Sequence, residues 1–411
     1  MGVQRGNDMS KGHVWRVNAL IGTAHFLSHF YVLSLPPLFL AWKSAFDVSY
    51  SQLGLTVALM SATTAILQTP VGFLVDRYGA RRFLIGGTLL MSLSITAMGF
   101  ATDYWQVVLC AVLSGVGNSV IHPSDYAILS GSIPKERMGK AFAFHTFNGN
   151  VGFALAPPVM TLLMTGFGWR SAAITIGLLG VPTVAAIILQ SRVLVDQARP
   201  AVREAGTGLS GRQLVTSRVM LGFFAFFMLS AMAGAGIQSW LIPVLHAVHG
   251  TDIAVASSAL TAYMTGGTAG VLVGGYFVDR PNIRLLPFVA MLTFSAGSLL
   301  VLADLLHMPD IFLIATLFAA GICMGASRTP RDMMVRDAAP PGQIGKVFGF
   351  VSAGLPFGQA LTPVPFGFLI DHGRPELVLI LAAGFVVLSV FFAGTARSLA
   401  ARQARALAAA E

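Results

Sequence analysis

The chain has 411 residues, of which 55% are hydrophobic and only 10% charged, and it carries a net charge of +9. An ordinary soluble domain holds about 25% charged residues, so this composition excludes one and points to a membrane protein whose apolar excess is solvated by lipid. The positive charge sits in short clusters between apolar runs, not along a stripe interleaved with aromatics, which excludes a nucleic-acid partner.

The first sixteen residues are polar and mildly basic (Arg5, Lys11, Arg16). The apolar run after them is longer than the core of a cleaved signal peptide, so it reads as a retained spanning helix. A span needs about 20 mostly apolar residues. Twelve runs qualify: 17–41, 52–75, 83–101, 105–130, 141–165, 171–190, 219–245, 254–278, 285–304, 310–330, 346–370 and 377–395. The predicted fold is therefore all-α and integral to the membrane, with twelve transmembrane helices as two six-helix pseudo-symmetric bundles. The bundles cover residues 1–190 and 218–411. The polar stretch 191–217 between them reads as a cytoplasmic linker. Cys110 and Cys323 each lie inside an apolar run, which predicts small packing residues and no disulfide or zinc site.

Basic residues set the orientation. The N-terminus, the even-to-odd loops and the C-terminal tail hold 22 of the 26 Lys and Arg, and the opposite loops hold Lys43, Arg170 and Arg374. Both termini are then expected in the cytoplasm, at a bacterial inner (plasma) membrane.

The two halves share sequence. Gly72-Phe-Leu-Val-Asp76-Arg77 ends the second run and Gly275-Tyr-Phe-Val-Asp279-Arg280 ends the eighth. Gly139-Lys140-x-Phe142-x-Phe144 opens the fifth run and Gly345-Lys346-x-Phe348-x-Phe350 the eleventh. Tandem halves of one orientation imply a solute path at their interface.

Ionisable residues inside spans are costly and become functional candidates. His25 and His29 lie four apart on one face of the first helix. With His122 and Asp125 of the fourth run they form the predicted proton-coupling set, since histidine titrates near physiological pH. Their alternative is packing through hydrogen bonds. Pro123, beside His122, is expected to kink its helix. Arg328 in the tenth run is the expected contact for an anionic group, because guanidinium engages oxyanions bidentately. Asn118, His145, Asn148, Gln238 and Gln359 are further cavity candidates, and Trp240 and Tyr263 are candidates to stack on a solute, with packing or interface anchoring as the favoured alternative. Asp125, Arg331, Asp332, Arg336 and Asp337 have a second reading as a salt-bridge gate. Gly206-x-Gly208-x-x-Gly211 matches a dinucleotide fingerprint, but no strand precedes it and it reads as linker. No Walker loop is present. Neither cofactor nor metal is expected, and the chain is not read as an enzyme.

Gly72-x-x-x-Asp76-Arg77-x-Gly79-x-Arg81-Arg82 resembles the signature loop of the major facilitator superfamily and sits between the second and third spans, where that family has it. With Asp279 and Arg280 of the second half, and Arg331 and Asp332, it forms a predicted gating set. His25-Phe-Leu-Ser-His29-Phe-Tyr, Leu35-Pro36-Pro37-Leu38, Ser49-Tyr50-Ser51-Gln52-Leu53-Gly54, His122-Pro123 and Gly149-Asn150-x-Gly152-Phe153-Ala154-Leu155-x-Pro157 resemble the fosmidomycin-resistance-like branch. That resemblance implies proton-driven export of small compounds by antiport. The expected partners are lipid, a small organic solute, with an anionic one as the reading that Arg328 suggests, and protons, with the chain acting as a monomer. A gradient-driven facilitator, an uptake symporter and a non-transporting sensor are the alternatives.

Overall fold

The structure is a computed structural model that describes residues 11–195, 211–278, 283–339, 347 and 350–408. The described residues form helices and no strand. They divide into two compact units, Met1–Ala201 and Val202–Glu411.

Unit 1 runs α1 (Lys11–Ser34), a 3-10 turn at Pro36–Leu38, α2 (Phe39–Phe46), α3 (Tyr50–Tyr78), α4 (Ala80–Met98), α5 (Tyr104–Ser119), α6 (Ile121–Ser132), α7 (Lys135–Leu178) and α8 (Gly180–Leu189). Unit 2 runs α9 (Gly211–Thr216), α10 (Arg218–His249), α11 (Ile253–Val278), α12 (Leu285–Leu305), α13 (Asp310–Ala326), α14 (Arg328–Ala338), α15 (Gly354–Leu361), α16 (Pro363–Asp371) and α17 (Glu376–Ala408).

Nine helical stretches among the described residues are long and apolar enough to cross a bilayer. One of them, Ala141–Leu189, has 49 residues. At about 1.5 Å per residue that is more than two bilayer cores, so it holds two crossings. The break is at Gly168, whose φ of 77° and ψ of 162° leave the helix. The sequence predicts this break between 165 and 171. Helices α4, with 19 residues, and α11, with 26, supply the two crossings that the apolar stretches alone do not include. The result is the twelve-helix architecture expected from the sequence.

Local chemistry sets the helix ends. Ser49 caps α3 by accepting from the Gln52 N–H at 3.1 Å, and the Gln52 side chain accepts from the Ser49 N–H at 2.9 Å. This reciprocal capping box satisfies two donors that a helix start leaves unpaired. Asp103 accepts from the Trp105 N–H and so starts α5. Gly250 closes α10 with φ 65°, a left-handed geometry that favours glycine.

The fourth and tenth predicted spans are each interrupted once. The first breaks at Val120, between α5 and α6, and the second at Ser327, between α13 and α14. In both, the break falls three residues before a proline, Pro123 or Pro330. A proline lacks the N–H for the helix ladder and its ring crowds the preceding turn, which explains the matched interruptions.

Close packing in both units depends on glycine. A Cβ on Gly152 of α7 would lie 2.3 Å from the Phe26 carbonyl oxygen of α1. In unit 2, a Cβ on Gly325 of α13 would lie 1.9 Å from the Gly267 oxygen of α11, and one on Gly270 would lie 2.2 Å from the Ile322 oxygen. Backbones this close gain dispersion contact that lipid cannot supply.

The segment leaving α8 is fixed at two points. Arg81 Nη1 donates to the Ser191 carbonyl at 2.8 Å, and the Val195 N–H donates to Ser132 Oγ at 2.8 Å.

Candidate functional site

Three helices of unit 1 converge on a group of imidazoles, of which His25 and His145 are buried and His29 and His122 half-buried. Helix α1 brings His25 and His29 on one face, α6 brings His122 and Asp125, and α7 brings His145. Glycine makes the approach possible. A Cβ on Gly149 of α7 would lie 2.6 Å from Cε1 of His25 and 3.0 Å from Cε1 of His29. The sequence segment Gly149-Asn150-x-Gly152 thus serves the contact between α1 and α7.

Asp125 is 0% exposed. Its Oδ2 accepts from Nε2–H of His145 at 2.9 Å, and its Oδ1 has no hydrogen-bond partner. His145 in turn stacks on His25, with ring centroids 3.6 Å apart and planes 15° from parallel. Nδ1–H of His25 donates to the His145 backbone carbonyl at 2.8 Å. A carbonyl oxygen can only accept, so the proton sits on Nδ1 and the neutral ring carries its lone pair on Nε2. That Nε2 is buried without a hydrogen-bond partner, as is Nδ1 of His122. The His25 ring centroid is 4.4 Å from that of His29 and 5.1 Å from that of His122. One ligand nitrogen from each of His25, His29 and His122 lies within 4.8 Å of the others. Phe153 covers His29 with centroids 4.3 Å apart, and Tyr126 packs 5.6 Å from His145.

The four proton-coupling candidates read from the sequence therefore come together, and His145 joins them as the partner of Asp125. Sequence reasoning had His145 only as a general cavity residue. Its signal was its place in an apolar run, but 120 residues separate it from His25 and no spacing rule connects them.

The other candidates are dispersed. Asn118 donates to Thr64 Oγ1 at 3.4 Å, which joins α5 to α3. Asn148 donates to the Phe144 carbonyl of its own helix at 2.7 Å. Gln238 is half-buried and Gln359 exposed. Trp240 is fully buried, with its indole N–H donating to the Pro363 carbonyl at 3.0 Å. It packs inside unit 2. Tyr263 is also buried. Arg328 is exposed at the first residue of α14.

Arg331 pairs with its neighbour Asp332 at 3.0 Å and lies 4.0 Å over the Phe227 ring. Arg336 pairs with Asp337 at 3.4 Å. These pairs are sequence neighbours on one helix, while Asp125 has its partner in His145.

In the signature loop, Gly79 has φ 93° and ψ 137°, which a residue with a side chain avoids. Arg81 donates to the Ser191 carbonyl, in the 3-10 turn Ser191–Val193 that follows α8. Arg77 lies 5.2 Å over the Tyr78 ring, and Arg82 is exposed. At Gly72 a Cβ would meet nothing within 4 Å. It allows no close approach inside unit 1. The Asp76 side chain, Asp279 and Arg280 lie outside the described residues.

The family described as Major Facilitator Superfamily matches residues 21–250 and 228–410. A probable L-galactonate transporter of Escherichia coli (strain K12) is 23% identical over 371 residues, covering 84% of this chain and 80% of the relative. The membrane sensor protein UhpC of the same organism is 25% identical over 372 residues, covering 83% of each. Its fosmidomycin resistance protein is 24% identical over 357 residues, covering 84% of each. Among solved structures, a bacterial homologue of the human lysosomal transporter Spinster superposes with a TM-score of 0.75 at 16% identity, covering 96% of this chain and 98% of that one.

Proposed function

We propose a function from one premise, that this chain belongs to the Major Facilitator Superfamily: it is a secondary active transporter that moves a small organic anion by alternating access, driven by protons, in the direction of export. It is a multi-pass integral membrane protein, as the family and the apolar helices establish. The proposed setting is a bacterial inner membrane with both termini in the cytoplasm.

The observation that carries the proton reading is the Asp125–His145 pair. Asp125 has no exposure, and one of its oxygens has no hydrogen-bond partner. Placing an ionised carboxylate in an apolar bundle is expensive, so residues of this kind mark ion pathways in membrane proteins. A carboxylate that accepts from one imidazole can take up a proton on its other oxygen and later return it. Asp125 is the proposed carrier and His145 the group that orients it. Arg328, exposed in unit 2, is the proposed contact for the solute's anionic group, as guanidinium matches carboxylate geometry. The name of one relative, an L-galactonate transporter, supports a carboxylate solute.

Purified protein in liposomes with a trapped pH indicator tests this. Movement of the transported organic acid is expected to change the internal pH, and Asp125→Asn is expected to uncouple the two. Transport that ignores collapse of the pH gradient would remove protons from the mechanism.

Similarity to a membrane sensor protein favours one second reading, a receptor that binds solute without moving it. Saturable solute binding with no accumulation in the same liposomes selects that reading.

A further inference from the structure

We propose that His25, His29 and His122 form a binding site for one divalent transition-metal ion of the cobalt–zinc class. Its ligands are distinct from Asp125, the proposed proton carrier, which lies nearby as counter-charge.

The donor geometry comes first. Nitrogens from all three rings lie within 4.8 Å of one another. Tetrahedral zinc with bonds of about 2.0–2.1 Å needs donors about 3.4 Å apart. Side-chain rotations of about 1 Å close that gap. His25 and His29 are spaced i, i+4 on α1, the helical spacing that puts two imidazoles on one metal.

The protonation pattern is also that of a ligand set. A metal-bound histidine usually donates its second ring N–H to a carbonyl or carboxylate, which fixes the tautomer. His25 does this through Nδ1–H to the His145 carbonyl at 2.8 Å, leaving the lone pair on Nε2. His25 is 3% exposed, and its Nε2 has no hydrogen-bond partner. Nδ1 of His122 is in the same condition. Buried imidazoles kept only for packing bond their nitrogens to neighbours. Two buried nitrogens without such bonds, on rings whose centroids lie 5.1 Å apart, are what a cation would satisfy.

Charge and ligand type narrow the ion. Three neutral imidazoles select zinc, cobalt, nickel or copper over the oxygen-seeking magnesium and calcium. A dication among apolar helices needs a nearby negative charge. Asp125 supplies it one imidazole away, held on His145, whose ring lies 3.6 Å from that of His25. Three protein ligands leave a fourth tetrahedral position open, as in zinc sites that bind a further small group.

Full-length, tag-free protein in detergent, stripped with chelator, is titrated with Co²⁺. The expected result is one Co²⁺ per chain with the visible absorption of a four-coordinate, nitrogen-ligated ion, displaced by Zn²⁺. His25→Gln, His29→Gln and His122→Gln are each expected to weaken binding by more than tenfold. His246→Gln, at the end of α10, is expected to leave it unchanged. If a variant does not fold, X-ray absorption of the zinc-loaded wild type decides: three imidazoles at about 2.0 Å support the site. An oxygen-only shell, absence of stoichiometric binding, or wild-type affinity in folded forms of all three glutamine variants overturns it.

Discussion

Asp125 and His145 show how much depends on single atoms. A buried hydrogen bond to a carboxylate contributes modestly as a whole, yet removing its donor leaves the carboxylate unsatisfied and costs about 1–3 kcal/mol or more. His145→Ala leaves a carboxylate with 0% exposure and no imidazole donor. Asp125→Asn removes the charge and keeps the shape. His145→Ala is therefore expected to lower the melting temperature in detergent well below that of Asp125→Asn, followed by intrinsic tryptophan fluorescence. Equal melting temperatures would show that the carboxylate is not held as an ion by His145. At this scale the sequence was partly legible. The i, i+4 spacing of His25 and His29 is visible in one helix, and so is the proximity of His122 and Asp125. The union of the two pairs with His145 is a long-range contact that no local pattern encodes. Trp240 stays ambiguous in the sequence for a related reason, since an aromatic in an apolar run looks the same whether it lines a path or packs near Pro363.

Between helices, glycine decides distance. Gly325 and Gly267 bring α13 and α11 together so closely that an added Cβ would sit 1.9 Å from a backbone oxygen. Backbone cannot swing aside as a side chain can, so Gly325→Leu is expected to separate the helices and cause loss of folded protein on size-exclusion chromatography. Gly384→Ala in α17, where a Cβ meets nothing within 4 Å, is expected to elute and melt as wild type. Similar behaviour of the two variants would refute the close approach. Composition alone, with 44 glycines, announced small-residue packing but could not say which glycines touch. Gly72 belongs to a recognisable loop and yet faces open space within its unit, whereas Gly149 makes room for two imidazoles. The interruptions at Val120 and Ser327 were more legible, because Pro123 and Pro330 carry their effect in their own rings.

For the whole chain, hydropathy period and length carried most of the information. Twelve crossings follow from runs of about 20 apolar residues, and the helices agree once Gly168 is allowed to divide Ala141–Leu189. Orientation rests on the Lys and Arg bias. A fluorescent protein fused after Glu411 is expected to glow in the bacterial cytoplasm, and a phosphatase reporter at the same point to stay inactive. The opposite pattern would reverse the assignment and require an exported C-terminus. One further consequence lies in how the chain departs from unit 1. Arg81 grips the Ser191 carbonyl, and Ser132 grips the Val195 amide. The path beyond α8 is thus held like a cable in a strain relief. A pull from further along the chain is borne by α4 and α6, and the last turn of α8 is spared the load that would otherwise unravel it.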